Sequence, residues 1–376
     1  LLDESDDHIV SALGHAARAA AGDRRILLVS ENERQESFQV RAPDRCGHGL
    51  DALWNDDFHH SVRVALTGRR EGYFHDHAGR AQEFVSAAKH GYLFQGQRYN
   101  WQNAQRGYPA LDLQPSNFVH FIQNHDQIAN TPASRRIGQL TSPAKLRAMT
   151  ALLLLGPQSP LLFQGQEFNA STTFTYFTDQ PSKMTSRIWE GRRDSLAQFP
   201  SMEQPEAREA VPPPHERGTL EQSKLDWVEA EQNSDMVKLH IDLLQLRRDT
   251  KVLQHAQRVR SLDGATLSEE AFLLRFFHAE AAEERLLMIN LGRDLPLRSI
   301  PDPLYAPPRE HTWKLCWSSE DYVYGGSGQR QIEVNEPWIL TADTALFFRP
   351  ISAERRDAGS KPELDEWQKS LRESGA

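Results

Sequence analysis

Apolar positions recur along the chain at two spacings. Ile9, Val10, Leu13, Ala16, Ala17 and Ala20 share one face of a helix. Ser5, Asp6 and Asp7 ahead of them are residue types that cap a helix and complement its dipole, and Gly22 closes it. The run 25–30 then reads as a short buried strand, apolar within and bounded by charge. Runs 50–54, 118–123 and 159–163 read the same way. Helical spacing returns at 59–66, before Gly68. It returns again behind Ser142 and Pro143, through Leu146, Met149, Leu152 and Leu153, and across 236–248. Two long stretches of weak periodicity, 71–117 and 168–214, look like excursions from a scaffold.

Past Val252 the texture changes. Runs 272–277, 285–290, 313–317, 331–334 and 345–349 read as strands separated by turns. The pattern therefore predicts an α/β region with parallel strands over 1–251 and a small all-β domain over 252–351. A charged tail follows over 352–376, with a marginal helix near 363–371.

Composition narrows the classes of function. The 376 residues hold 43 Lys and Arg against 52 Asp and Glu, a net charge of −9, which argues against a nucleic-acid partner. No apolar run is long enough to span a membrane. Cys46 and Cys316 are isolated, so no disulfide framework or paired-cysteine metal site is expected, and the cytoplasm is the expected compartment. No nucleotide-binding glycine motif is present, and no cofactor or metal is expected. Oligomeric state is left open.

Polar clusters follow three of the strand runs. Glu31 to Arg34 follow 25–30, Asn124 to Gln127 follow 118–123, and Gln164 to Glu167 follow 159–163. Parallel-sheet enzymes keep their chemistry at such strand ends, so a shared site competes with three solvated loops. A carboxyl partly desolvated after a buried strand suits a general acid, as Glu31 would be. Asp126 would stay ionised and stabilise positive charge. That pair is the chemistry of glycoside cleavage, while surface ion pairing explains the same residues equally well. Adjacent His59 and His60 on a helix point apart, which speaks against a metal site with Asp56 and Asp57.

Residues 121–127 (FIQNHDQ) resemble the His-Asp region of the α-amylase superfamily, glycoside hydrolase family 13. Residues 30–32 (SEN) resemble its general-acid region, and 156–167 (GPQSPLLFQGQE) its final-strand segment. Segments 50–60 (LDALWNDDFHH), 64–68, 170–179 (ASTTFTYFTD), 190–193 (EGRR), 223–227 (SKLDW), 316–320 (CWSSE) and 324–326 are similar to one family within it, the malto-oligosyltrehalose trehalohydrolases. The resemblance runs from about residue 1 to about residue 350. It implies the C-terminal portion of a (β/α)8 TIM-type barrel followed by a small all-β sandwich domain. It also implies a retaining hydrolase that cleaves the α-1,4 bond next to the terminal trehalose of maltooligosyltrehalose or a related α-glucan. A branching or debranching enzyme, or a non-catalytic carbohydrate-binding remnant, are the alternatives.

By the same resemblance, Glu31 matches the general acid/base, Asp126 the transition-state stabiliser and His125 a sugar-hydroxyl ligand. Asn124, Gln127, Asp57, His59, His60, Glu167, Phe174 and Tyr176 are the further substrate-binding candidates. The nucleophilic Asp of the family is expected upstream of residue 1. The chain as given is therefore expected to be inactive or nearly so.

Overall fold

The apolar runs of the first half assemble as four parallel strands in chain order. In the computed structural model these are β1 (Val29–Ser30), β2 (Ala52–Trp54), β5 (Phe118–Phe121) and β6 (Ser159–Leu161), hydrogen-bonded in the order β1-β2-β5-β6. Between β2 and β5 a short antiparallel ribbon forms from β3 (Arg98–Tyr99) and β4 (Ala104–Gln105). The structure describes residues 8–204, 211–255, 261–297, 300, 302–328, 332 and 338–353, with Asp3 and Ser5.

Sequential parallel strands need crossovers that pack on the sheet. Two of these are helical. Helices α2 (Asp56–Thr67) and α3 (Ala81–His90) join β2 to β5, while α4 (His125–Ala129) and α5 (Pro143–Leu155) join β5 to β6. Helix α5 is buried on nearly every side, from Leu146 to Leu155, so it reads as apolar all round instead of striped. The connection 31–51 carries only two single 3-10 turns. Helix α6 (Ser182–Leu196) lies in the second excursion, and α7 (Ser234–Asp249) packs on α5.

The all-β part is a five-stranded antiparallel sheet, ordered β11-β13-β9-β8-β7. Its strands are β7 (Leu262–Thr266), β8 (Ala271–Phe276), β9 (Arg285–Asn290), β11 (His311–Ser318) and β13 (Thr344–Ser352). A two-stranded sheet of β10 (Leu295–Leu297) and β12 (Trp338–Leu340) accompanies it. Alternate residues of β8 face different cores. Phe272, Leu274 and Phe276 join the core shared with α5 and α7, whereas Ala271 and Leu273 pack with Leu297 and Leu340. This is a sandwich resting on the helical layer of the parallel sheet. Arg147 of α5 crosses the junction to Glu320 at 2.6 Å, with both side chains buried.

Several expectations need correcting. Helix α1 (Ile9–Ala21) starts at Ile9, capped by His8. Asp3 Oδ2 accepts the Ile9 N–H at 2.5 Å, so the carboxylate of Asp3, not Ser5, satisfies the helix start. The stripe on α1 is not its buried face. Ile9 and Leu13 are 40% and 57% exposed, and the buried residues of the helix are Ala21 and Gly14, the latter beside Leu28, His48 and Leu50. The run 25–30 shrinks to two strand residues at the sheet edge, with Leu27 68% and Val29 39% exposed. Strands β7 and β10 were not expected, being short and partly polar. Asp6, Asp7, most of 331–334 and the tail helix at 363–371 lie outside the described residues.

Candidate active site

The C-terminal ends of β1, β2 and β5 open on one cavity of about 310 Å3. Glu31 and Glu33 reach it from β1, Asp56 and His60 from the start of α2, and Asp126 and Gln127 from α4. Tyr73, Tyr99, Trp101 and Arg106 of the first excursion close its side, and Asn130 and Gln198 border the rest. Two of the three strand-end clusters therefore meet, with a third element, the head of α2, between them. Glu167, after β6, does not line this cavity.

Capping places the site residues. Asn124 precedes α4, and its side chain accepts the Gln127 N–H at 2.8 Å. That bond turns the chain so that Asp126, in the first helical turn, points to the cavity. His125 Nε2 lies 3.5 Å from Asp126 Oδ1, and its ring meets Trp54 edge-on at 6.4 Å. Gln127 Oε1 accepts from the Tyr73 hydroxyl at 2.9 Å. Asn55 caps α2 in the same manner, accepting from Phe58 N. Its amide also donates to the carbonyl of Gly91 at 3.1 Å. Gly91 has a φ of +77°, and an added Cβ would stand 2.3 Å from the Phe118 ring, so only glycine fits there.

The two aspartates after Asn55 do different work. Asp57 is buried away from the cavity. Its Oδ2 accepts the backbone N–H groups of Leu93 and Phe94 at 2.8 and 2.9 Å, while Oδ1 faces Arg106 Nε at 3.6 Å. Asp56 lines the cavity. Burial pushes its carboxyl up to about 7, Arg106 opposes the shift, and Asp57, Glu31 and Glu33 add to it. Glu31 itself is exposed, where a partly desolvated acid was expected, because β1 is a two-residue edge strand.

The histidines divide similarly. His59 is buried and stacks on Phe121 at 5.2 Å, whereas His60 borders the cavity. Burial holds the pKa of both rings well below the ordinary value, so both are neutral near pH 7. Tyr176 lies in an adjoining cavity of about 400 Å3 that shares Tyr73, Asn130 and Gln198 with the first. The Arg192 guanidinium covers its ring at 4.9 Å and donates to Asn130 Oδ1 at 2.9 Å. Phe174 packs edge-on against Phe163 at 5.1 Å and lines neither cavity. Among the described residues no cluster of three His, Cys, Asp or Glu side chains is arranged to hold a metal ion. No described helix is long and apolar enough to cross a membrane.

Asp56, Tyr73 and Arg106 line the cavity without being singled out by the sequence pattern, and Glu33 enters there only as part of its strand-end cluster. For Asp56 a signal existed. An Asn N-cap puts the next two residues at different angles around the helix start, so only one of the two aspartates can face the strand ends.

The fold is that of the α-amylase class of glycoside hydrolases. A solved structure from Salmonella typhimurium, described as an alpha amylase, aligns with a TM-score of 0.74 at 26% identity, covering 93% of this chain and 55% of that one. More narrowly, the chain is a relative of the malto-oligosyltrehalose trehalohydrolases. It is 35% identical over 298 residues to the one from Deinococcus radiodurans, covering 78% of this chain and 47% of the relative. With that from Arthrobacter ramosus it shares 31% over 257 residues, 67% of this chain and 44% of the relative. The chain thus spans about half the length of the curated relatives it matches. No family model matches it.

Proposed function

We propose that the cavity between Glu31 and Asp126 binds trehalose-ended maltooligosaccharides for cleavage of the α-1,4 bond next to the trehalose, with release of trehalose. The observation that carries this reading is the meeting of both carboxyl groups in one strand-end cavity. The names of the relatives support the substrate class.

In this reading Glu31 protonates the leaving oxygen and later activates water, and Asp126 faces the positive charge of the oxocarbenium-like transition state. His125 and Gln127 hold sugar hydroxyls beside Asp126, and His60 does so from its place in the cavity lining. Asn124 acts by capping α4, and Asp57 and His59 by fixing the wall behind. Tyr176 offers a stacking face in the adjoining cavity. Phe174 supports the loop that carries Tyr176, and Glu167 stands outside the first contacts.

A retaining mechanism also needs a nucleophile. Of the carboxyl groups lining the described cavity, Glu31 and Asp126 have other roles in this reading, and the family resemblance assigns the nucleophile's role to neither Glu33 nor Asp56. We therefore propose binding with little or no turnover for this chain, acting in the cytoplasm.

The test is incubation with maltotriosyltrehalose, followed by calorimetry and product chromatography. Saturable binding with trehalose release at the background rate is expected. Steady trehalose release sinks the low-turnover claim, and cleavage confined to α-1,6 branch points of a glucan sinks the substrate assignment.

A further inference from the structure

His60 carries a polar atom with no partner. The side chain is buried, borders the cavity, and its Nε2 makes no hydrogen bond. Its other nitrogen, Nδ1, faces Nε2 of His77 at 3.3 Å. His77 is fully buried and presents its own Nδ1 to the Ser61 hydroxyl at 3.3 Å. Asp57 Oδ1 lies 4.0 Å from His77 Nε2. Burial pushes both imidazoles down, although Asp57 and Glu83 pull His77 back up. Each neutral ring holds one proton.

The charges around the pair select where those protons sit. A proton on His77 Nε2 is donated to His60 Nδ1, and the charge of the Asp57 carboxylate, 4.0 Å away and beyond hydrogen-bond reach, favours it there. The Ser61 hydroxyl then donates to His77 Nδ1. With His60 Nδ1 acting as acceptor, its own proton must lie on Nε2. The reverse order would aim the His77 Nε2 lone pair at a carboxylate, which is repulsive. The outcome is a chain from Ser61 through His77 to His60 that ends in an N–H group at the cavity wall.

We propose that His77 is a positioning residue that fixes His60 as an Nε2–H donor to a sugar oxygen in the cavity. Arg106 lines the same cavity with an unpartnered Nη2. The wall thus sets two donors among the acceptors Glu31, Asp56 and Asp126, the mixture that a polyhydroxyl ligand requires. The sugar as ligand rests on the functional reading above, whereas the tautomer does not.

The experiment is 15N-resolved NMR of the histidine rings in the full chain, with trehalose titration of wild type, His77→Phe and His77→Gln. In the wild type, His60 is expected to be protonated on Nε2. His77→Phe removes the donor, so the tautomer preference should be lost and the trehalose Kd should rise about tenfold, one buried hydrogen bond. His77→Gln keeps an amide N–H near the Nε2 position and should stay within about threefold. Protonation of wild-type His60 on Nδ1 overturns the proposal, and that measurement needs no variant to fold. Wild-type affinity in His77→Phe with an unchanged tautomer overturns it as well. Absence of trehalose binding to a wild type with the expected tautomer overturns the carbohydrate reading and removes the sugar as the donor's target.

Discussion

Asp56 and Asp57 are adjacent and carry opposite consequences. Asp57 gives one oxygen to two loop N–H groups and turns the other toward Arg106 and His77. An amide there would set N–H groups against donors, so Asp57→Asn should cost about 2–4 kcal/mol in urea denaturation. Asp56 holds its proton up to about pH 7 because burial penalises the charge. The unfolded chain releases that proton near pH 4. Between these values the folded state binds more protons than the unfolded one, so this residue lowers stability as pH rises through the window. Asp56→Asn should therefore match the wild type at pH 4 and exceed it by about 1–3 kcal/mol at pH 8. Equal pH profiles for the two proteins would refute this. The family motif leads to Glu31, Asp126 and the Asp-Asp-x-His-His segment but does not say which aspartate faces the ligand. That depends on Asn55 as a cap and on where residues 93–94 return, a contact between distant parts of the chain.

At the scale of elements, the helices with long apolar periods are the ones the sequence makes legible, α5 and α7 above all. Helix α3 has the same signal in Ala81, Phe84, Val85 and Ala88, all buried, but aromatic and glycine-rich neighbours obscure it. Helix α1 misleads in the other direction. Its apolar residues Ile9 and Leu13 are exposed, while the buried positions are the small residues Gly14, beside Leu28, His48 and Leu50, and Ala21. Leu13→Glu should thus change stability by less than about 0.5 kcal/mol, measurable by thermal unfolding. The opposite holds for the α5 junction. Arg147→Met would leave Glu320 charged and buried against Ser327, and should cost about 3–5 kcal/mol. Adding Glu320→Leu should recover much of that loss. No recovery in the double variant would mean that the pair does more than neutralise itself.

At the largest scale, the described residues form a four-stranded parallel sheet whose helical layer shares a core with a β-sandwich. Strand order follows from the alternation of apolar runs and helical spacing, and the resemblance to α-amylase-class enzymes agrees with the solved relative. Less legible were the roof of the adjoining cavity, supplied by α6, and the loop residues Tyr73, Tyr99 and Arg106, because nothing in their local pattern says that they converge on the strand ends. In the proposed function, this convergence makes a sugar site centred on Asp126. Calorimetric titration of maltotriosyltrehalose into wild type and Asp126→Ala, side by side, tests it most directly. Saturable binding to the wild type and at least a tenfold weaker Kd for the variant are expected, with thermal stability largely kept because the Asp126 side chain is 42% exposed and only half-buried. Indistinguishable binding by the two proteins, or none by the wild type, would contradict it.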